Sequence, residues 1–342
     1  MRSGGPPDRE LVVTAHPHLG TRDTTPRIMW TVTGSLMPVV GAAVWFFGPS
    51  ALLVIVAAVA GCLATEALFV GPDRLRDGSA LITGILLGLI LPAGIPLWMA
   101  FLGGAVAIGL GKLIFGGLGQ NIFNPALVGR AFLQAAFPVA VTTWPAHRGA
   151  GEPWWALLGD NLALPLMSPD RAHTVTEATP LGLMKFEGET TALTNLMLGS
   201  TGGSLGETAG VLILLCGAYL AWKNYLNWRI PVGILGTVVL LAGLLHATDP
   251  ARYPDVMFSL FSGGLILGAV YMATDMVTAP VTNRGCWIFA VGIGILTVII
   301  RSWGGRPEGV MYAILFMNAF VPAINRYTQP RPFGARTLEA RA

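Results

Sequence analysis

A short polar hexapeptide, Thr176-Glu177-Ala178-Thr179-Pro180-Leu181, contains two hydroxyls that could take part in chemistry. A threonine hydroxyl in an exposed, extended turn can form an ester bond if a modifying enzyme reaches it. Pro180 disfavours helix at the residue before it, so Thr179 is expected to be extended, and Ala178 adds little bulk. Spacing alone is weak evidence, because similar strings occur in ordinary loops. Its position between two hydrophobic halves of the chain strengthens the prediction.

Two carboxylates within or beside apolar runs form a second group of candidates. Glu66 lies inside an apolar run, and Asp275 ends another. Acidic groups at membrane depth are costly and commonly belong to ion or proton pathways. The sequence therefore predicts an ion-coupling role for Glu66 and Asp275, with a helix cap as the alternative for Asp275.

Several polar residues stand where helices are expected to begin. Asn124 is a suitable N-cap with proline next to it, and Glu308 would place an acid at the positive end of a helix. Asn121 would share a face with Asn124 if that helix began early. These ends could face a cofactor, an ion or each other, and simple capping is the alternative.

Gly203 and Glu207 lie in Gly202-Gly203-Ser204-Leu205-Gly206-Glu207-Thr208, at the expected start of another helix. An acid close to a helix N-terminus is typical of capping. The free amides of that terminus could instead hold a phosphate group.

The composition is that of a protein crossing a membrane many times. Of 342 residues, 53% are hydrophobic and 11% charged, whereas a soluble domain averages about 25% charged residues. The net charge of +3 is small and the basic residues are scattered, which gives nucleic-acid binding no support. The three cysteines have no metal-ligand spacing, so no metal site is expected.

Apolar segments of roughly membrane-spanning length define the expected fold, an all-α polytopic membrane protein. The third and eighth segments are short and end in polar residues or proline, which points to broken helices near the membrane midplane. Their corresponding positions predict two inverted five-segment repeats. The ten segments are 28–47, 50–70, 79–91, 95–115, 125–140, 206–222, 231–247, 257–273, 286–303 and 308–324.

The distribution of lysine and arginine predicts the orientation. With the N-terminus in the cytoplasm, most basic residues fall on the cytoplasmic side, and Thr179 falls in an exported loop. The predicted parts are a cytoplasmic segment 1–27, a first membrane half 28–140, a periplasmic loop 141–205, a second membrane half 206–324 and a cytoplasmic tail 325–342.

Nearly the whole chain resembles the D subunit of the Rnf electron-transport complex and its relative, the B subunit of the sodium-pumping NADH:quinone reductase. The shorter length favours the Rnf subunit. The stretches that carry the resemblance, besides the hexapeptide, are Asp23-Thr24-Thr25-Pro26-Arg27-Ile28-Met29, Asn124-Pro125-Ala126-Leu127-Val128-Gly129-Arg130, Trp228-Arg229-Ile230-Pro231, Ala273-Thr274-Asp275 and Gly304-Gly305-Arg306-Pro307-Glu308-Gly309-Val310.

This resemblance implies that Thr179 carries FMN through a phosphoester bond made by a separate flavin transferase. The family pattern is D-x-x-S/T-G-A-T, and here His173 replaces its aspartate and Glu177 its glycine. Thr176 is the neighbouring competitor for attachment. The resemblance also implies a second, non-covalent flavin, such as riboflavin, near Asn121 and Asn124.

The implied function is electron transfer between ferredoxin and NAD, coupled to Na⁺ or H⁺ movement, within a membrane oxidoreductase complex. Other membrane, flavin and iron–sulfur subunits are the expected partners, with lipid around them, in the inner membrane of a bacterial cell. A small-solute channel or transporter with inverted repeats fits the same segment pattern, and so does a structural scaffold. Only the electron carrier requires a covalent flavin.

Overall fold

A computed structural model describes residues 23–146, 155–165, 167, 177–199, 201–207, 209–250 and 252–330. Its regular elements are helical, and the described residues contain no β-strand, which confirms the all-α prediction. Two residues of the predicted flavin-attachment sequence, Thr176 and His173, lie outside the described residues.

The first half of the chain forms helices that coincide with the first five apolar segments. Helix α2 packs against α3 and α4, and α4 packs against α5. The helices are α1 (Thr25–Phe47), α2 (Pro49–Phe69), α3 (Ser79–Leu89), α4 (Leu97–Gly111), α5 (Pro125–Ala136) and α6 (Pro138–Thr142), with short 3₁₀ turns at Pro72–Asp77 and Leu113–Phe115.

Two short helices, α7 (Pro180–Phe186) and α8 (Leu193–Leu198), lie between the two halves. In the second half, α10 packs against α13, and α13 packs against α14. The remaining helices are α9 (Gly210–Trp222), α10 (Arg229–Thr248), α11 (Val256–Phe261), α12 (Leu265–Leu267), α13 (Asn283–Trp303) and α14 (Val310–Thr328), with a π-helical turn at Gly268–Met272 after α12.

Within the described ranges, five helical stretches are long and apolar enough to cross a membrane: Thr25–Phe47, Pro49–Phe69, Leu97–Phe115, Arg229–Thr248 and Asn283–Trp303. Two shorter apolar helices, Ser79–Leu89 and Gly210–Trp222, accompany them. The prediction of ten spans in two inverted repeats remains a prediction.

The third and eighth apolar segments are interrupted. Helix α3 has 11 residues and ends before Pro92. In the eighth segment the chain leaves the helix after Phe261, and Gly263 has a φ of 67°, which is a left-handed conformation that favours glycine. These interruptions bring irregular backbone into the protein interior, where polar side chains can reach it.

Close approach of helices in the first half depends on glycine. A Cβ atom at Gly61 would collide with the carbonyl oxygen of Phe101, and one at Gly104 would collide with the carbonyl oxygen of Ala58. Helices α2 and α4 therefore pack nearly backbone to backbone, as small residues allow in membrane proteins. This packing gives the site residues of the first half a rigid base.

Candidate functional site

Thr179 begins the short helix α7. Its backbone is extended, with φ −65° and ψ 151°, as expected for the residue before Pro180. Its Oγ1 accepts a hydrogen bond from the amide of Gly182 at 3.1 Å, so the hydroxyl caps the helix. The expectation that this hydroxyl is freely exposed was wrong: Thr179 is only 6% exposed, because its side chain faces a cavity instead of the surface.

Contacts on both sides hold helix α7 against the second half of the chain. Leu181 packs with Leu196 and Phe258 in a small apolar cluster. The ammonium of Lys185 donates to the carbonyl oxygens of Arg301 at 2.9 Å, Gly304 at 2.5 Å and Arg306 at 3.0 Å. Lys185 thereby caps the C-terminal end of α13 and fixes the position of Thr179 relative to α14.

The threonine cavity, as we call the space beside Thr179, has a volume of about 390 Å³. Ala178, Thr179, Arg130 and Arg306 are among the residues that line it. Such a volume is within the usual range of about 300–1,000 Å³ for small-molecule and cofactor sites. Its aromatic lining residues are Trp144, Phe186 and Tyr312.

A partly buried ion pair lines the threonine cavity. Nη2 of Arg130 lies 2.5 Å from Oε2 of Glu308, and the two side chains are 5% and 27% exposed. Nη1 of Arg130 also donates to the carbonyl oxygen of Ile90, just beyond the end of α3. The prediction that Glu308 opens the tenth helix was wrong, because α14 begins at Val310 and Glu308 is bound to Arg130 instead.

Gly203 and Glu207 do not line the threonine cavity but lie directly behind Glu308. The carboxyl of Glu207 is within hydrogen-bonding reach of the carboxyl of Glu308. A Cβ atom at Gly203 would lie 2.5 Å from Oε2 of Glu207, so a larger residue there would displace this carboxyl. Glu207 does not cap α9, contrary to expectation: that helix starts at Gly210 after a left-handed Ala209, without a side-chain cap.

A second space, the asparagine cavity, contains Asn121, Asn124 and Asp275 in its lining and has a volume of about 100 Å³. Oδ1 of Asn124 accepts from the amide of Ala126 at 3.0 Å, which confirms the predicted N-cap. Its Nδ2 donates to the carbonyl oxygen of Met272 in the π-helical turn at 3.1 Å. Asn124 therefore joins the first half of the chain to the second.

Asn121 lies in the irregular segment before α5, so it does not share a helical face with Asn124. The side chain of Asn121 instead contacts the carboxylate of Asp275. Asp275 also accepts from the hydroxyl of Thr278 at 3.2 Å and from the amide of Val277 at 3.4 Å. The carboxylate thus caps a turn and at the same time faces a cavity.

Glu66 forms an ion pair with Lys112. From the sequence, Lys112 is expected only to be one of the basic residues on the cytoplasmic side. Nζ of Lys112 lies 2.5 Å from Oε1 of Glu66, and both side chains are 3% exposed. The same ammonium donates to Oγ of Ser79 at 2.7 Å. Since Lys112 and Ser79 also line the asparagine cavity, Glu66 is connected to that space through its partner.

A third, smaller space of about 30 Å³ adjoins the threonine cavity, and we call it the central cavity. Arg130 and Glu308 line both the central and the threonine cavity. Met272, whose carbonyl is bound by Asn124, also lines the central cavity. The hydrogen bond from Asn124 thus connects the residues around the asparagine cavity to a residue of the central cavity.

Comparison with known proteins identifies the family. A family model described as the NQR2, RnfD, RnfE family matches residues 12–334. The chain belongs to this family. The Rnf resemblance predicted from the sequence is therefore confirmed.

Curated members of the NQR2, RnfD, RnfE family are similar over almost their full length. The D subunit of the proton-translocating ferredoxin:NAD(+) oxidoreductase complex of Clostridium ljungdahlii is 41% identical, over 95% of this chain and 97% of the relative. The D subunit of the Na(+)-translocating ferredoxin:NAD(+) oxidoreductase complex of Acetobacterium woodii is 38% identical, over 97% and 98%. The D subunit of the ion-translocating oxidoreductase complex of Stutzerimonas stutzeri is 42% identical, over 92% and 93%.

These relatives are subunits of ion-translocating oxidoreductase complexes. This agrees with the expectation that the chain is one subunit of an enzyme complex. Together with the apolar helices, the family places this chain among multi-pass membrane proteins.

Sequence reasoning missed the partners of the site residues. The sequence indicates Arg130 only as a charge within a span, and Arg301 and Lys185 only as charges on the outer side. An arginine within an apolar segment is itself a signal for a buried counter-ion. What the sequence lacks is the identity of that counter-ion, because Glu308 is 178 residues away.

Proposed function

We propose that this protein is a membrane subunit of an ion-translocating electron-transport complex and carries electrons between ferredoxin and NAD by means of FMN esterified to Thr179. The observation that carries the proposal is that Thr179 lines a cavity of about 390 Å³ together with two arginines, Arg130 and Arg306. FMN would supply the electron transfer when bound, and the protein supplies position and charge.

The lining of the threonine cavity fits such a group. Arg130 and Arg306 provide positive charge for a phosphate or for an anionic ring system. Trp144 and Tyr312 provide aromatic surface on which a planar ring can pack. Lys185 and Leu181 hold the threonine-bearing helix in place, so attachment at Thr179 would fix the group against α14.

A second, non-covalent flavin such as riboflavin is proposed beside Asn121 and Asn124. The asparagine cavity, at about 100 Å³, is smaller than the usual cofactor site of about 300–1,000 Å³, so it would have to widen to hold this flavin. Asp275 in the same lining and Glu66, through Lys112, are proposed to couple electron transfer to movement of Na⁺ or H⁺. Two carboxylates in or beside one interior space support this assignment, since buried acids commonly mark ion pathways.

We further propose a bacterial inner-membrane location with both termini in the cytoplasm and residues 141–205 in the periplasm. The support is the excess of lysine and arginine on the cytoplasmic side in that orientation. A flavin transferase would reach Thr179 on the outer side before helix α7 docks. The partners would be the other membrane, flavin and iron–sulfur subunits of an Rnf complex.

The test is in-gel fluorescence of the denatured polypeptide, purified from cells that contain the transferase. A covalent flavin gives a fluorescent band at the mass of this chain under ultraviolet light. A dark band from such cells would overturn the flavin assignment. The alternative, a small-solute channel or transporter, predicts that dark band.

A further inference from the structure

Buried polar atoms without a hydrogen-bond partner concentrate at one place in the described part of the chain. Of nine such side-chain atoms, six belong to a single group of neighbouring residues. An unsatisfied buried group costs about 1–3 kcal/mol, so their concentration marks a site with spare hydrogen-bonding capacity. The six atoms are Oε1 of Glu207, Oε1 of Glu308, Oγ of Ser204, Oγ of Ser262, Nε of Arg130 and Nε of Arg301.

The two carboxyl groups at the centre of this group face each other. Glu207 and Glu308 are within hydrogen-bonding reach, although an ionised carboxylate offers only acceptors. Two carboxylates that share a buried site cannot both ionise without strong repulsion, and a single proton between them converts the contact into a hydrogen bond.

The arginines compensate Glu308 but leave Glu207 without a direct cationic donor among the described residues. Arg130 pairs with Glu308 through Nη2. Arg301 donates instead to two backbone carbonyl oxygens, at 2.7 Å and 3.0 Å. The polar side-chain groups within hydrogen-bonding reach of the Glu207 carboxyl are the carboxyl of Glu308 and the hydroxyl of Ser204, while Arg130 and Arg301 act on it through charge without a hydrogen bond among the described residues.

We propose that Glu207 and Glu308 form a proton-binding site that holds one proton between the two carboxyl groups. A metal cation is disfavoured at this site, because two guanidinium groups already lie alongside. The adjoining central cavity of about 30 Å³ is large enough for a single water molecule that could pass the proton on. The site borders the threonine cavity through Glu308, but it does not depend on a flavin there.

Infrared spectroscopy of the full chain in lipid vesicles tests the proposal. At neutral pH the wild-type protein should show a carboxylic-acid C=O band that shifts in D₂O. Glu207→Gln and Glu308→Gln should each remove one protonated carboxyl per chain, because the amide then donates to the remaining carboxylate. Glu189→Gln, which changes an exposed carboxylate, is the matched control and should leave the band intact.

A further variant and an added cation complete the test. Glu207→Asp keeps the carboxyl group and should keep the band at a shifted frequency, even if the glutamine variants fail to fold. Thr179→Ala should retain the wild-type band, which separates this proposal from the flavin assignment. Three results would overturn the proton site. The carboxylic-acid band could be absent from the wild-type protein at neutral pH, or it could persist at an unshifted frequency in Glu207→Asp. It could also disappear from the wild-type protein when NaCl is added.

Discussion

Arg130 and Glu308 meet across the two halves of the chain, with 2.5 Å between Nη2 and Oε2. Arg130 belongs to helix α5 of the first half, and Glu308 precedes helix α14 of the second. This pair lines the threonine cavity and the central cavity and supports the carboxyl pair with Glu207. It is the structural centre of the candidate site.

Removing one partner of this ion pair should destabilise the protein strongly. Arg130→Met leaves the Glu308 carboxylate without its counter-ion, and the expected loss is about 3 kcal/mol, observable as a lower melting temperature in detergent. The double variant Arg130→Met/Glu308→Met should lose less than the sum of the single variants. The control is Arg27→Met at the exposed Arg27–Asp23 pair, 3.9 Å apart, where about 0–1 kcal/mol is expected. Equal losses at both pairs would contradict the role of Arg130.

Substitutions at Thr179 should decide where the flavin is attached. Peptide mass spectrometry of the wild-type chain should find FMN minus water on a fragment that contains Thr179. Thr179→Ala should abolish the modification and Thr179→Ser should retain part of it, because only the serine keeps a hydroxyl. Thr176→Ala is the matched control and should remain labelled. Full labelling of Thr179→Ala would refute the assignment and turn attention to Thr176.

Single cysteines placed at the two ends of the proposed topology should react from opposite sides of the membrane. Gly151→Cys should label from outside with an impermeant reagent, and Ala340→Cys only from the cytoplasmic side. The unmodified chain is the control for its own three cysteines, of which Cys62 and Cys286 are buried. Labelling of both positions from the same side would rule out the orientation and the inverted repeat.

Neutralising Asp275 should impair coupling without loss of the flavin. Asp275→Asn keeps the shape of the side chain and its turn but removes the negative charge facing the asparagine cavity. In membrane vesicles, reductant-driven NAD reduction or the accompanying Na⁺ or H⁺ movement should fall severalfold, while Thr179 stays modified. Asp255→Asn is the matched control, because Asp255 also accepts from the amide two residues on, at 3.2 Å, but is exposed. Wild-type coupling in Asp275→Asn would reduce that carboxylate to a turn cap.

The helices and one cap could be predicted from local sequence. The apolar segments predicted the positions of the helices to within a few residues, and Asn124 before Pro125 predicted a correct N-cap. Both signals come from residues that are close together in the chain. The interruption of the third and eighth segments was also foreseeable from short length and glycine. These features depend on neighbours in the chain, which a single sequence displays directly.

The pairing of charges could not be predicted, because it depends on how the halves pack. Glu66 and Lys112 are 46 residues apart, and Arg130 and Glu308 are 178 apart. Local reasoning therefore assigned Glu308 to a helix start, whereas the counter-ion in α5 was the stronger partner. The same limit applies to Glu207: the helix starts only at Gly210, after a left-handed Ala209, and the carboxyl of Glu207 contacts Glu308 from a distant part of the chain.

The distance in sequence between Arg130 and Glu308 has a consequence for biosynthesis. Arg130 enters the membrane with the first half of the chain, long before Glu308 leaves the ribosome. Among the described residues of the first half, the guanidinium has one hydrogen-bond partner, the carbonyl of Ile90, so the nascent first half carries a charge whose carboxylate partners, Glu308 and the nearby Glu207, belong to later parts of the chain. Synthesis of the second half is therefore expected to stabilise the folded first half. Fragments that end before residue 308 should be substrates for membrane proteases.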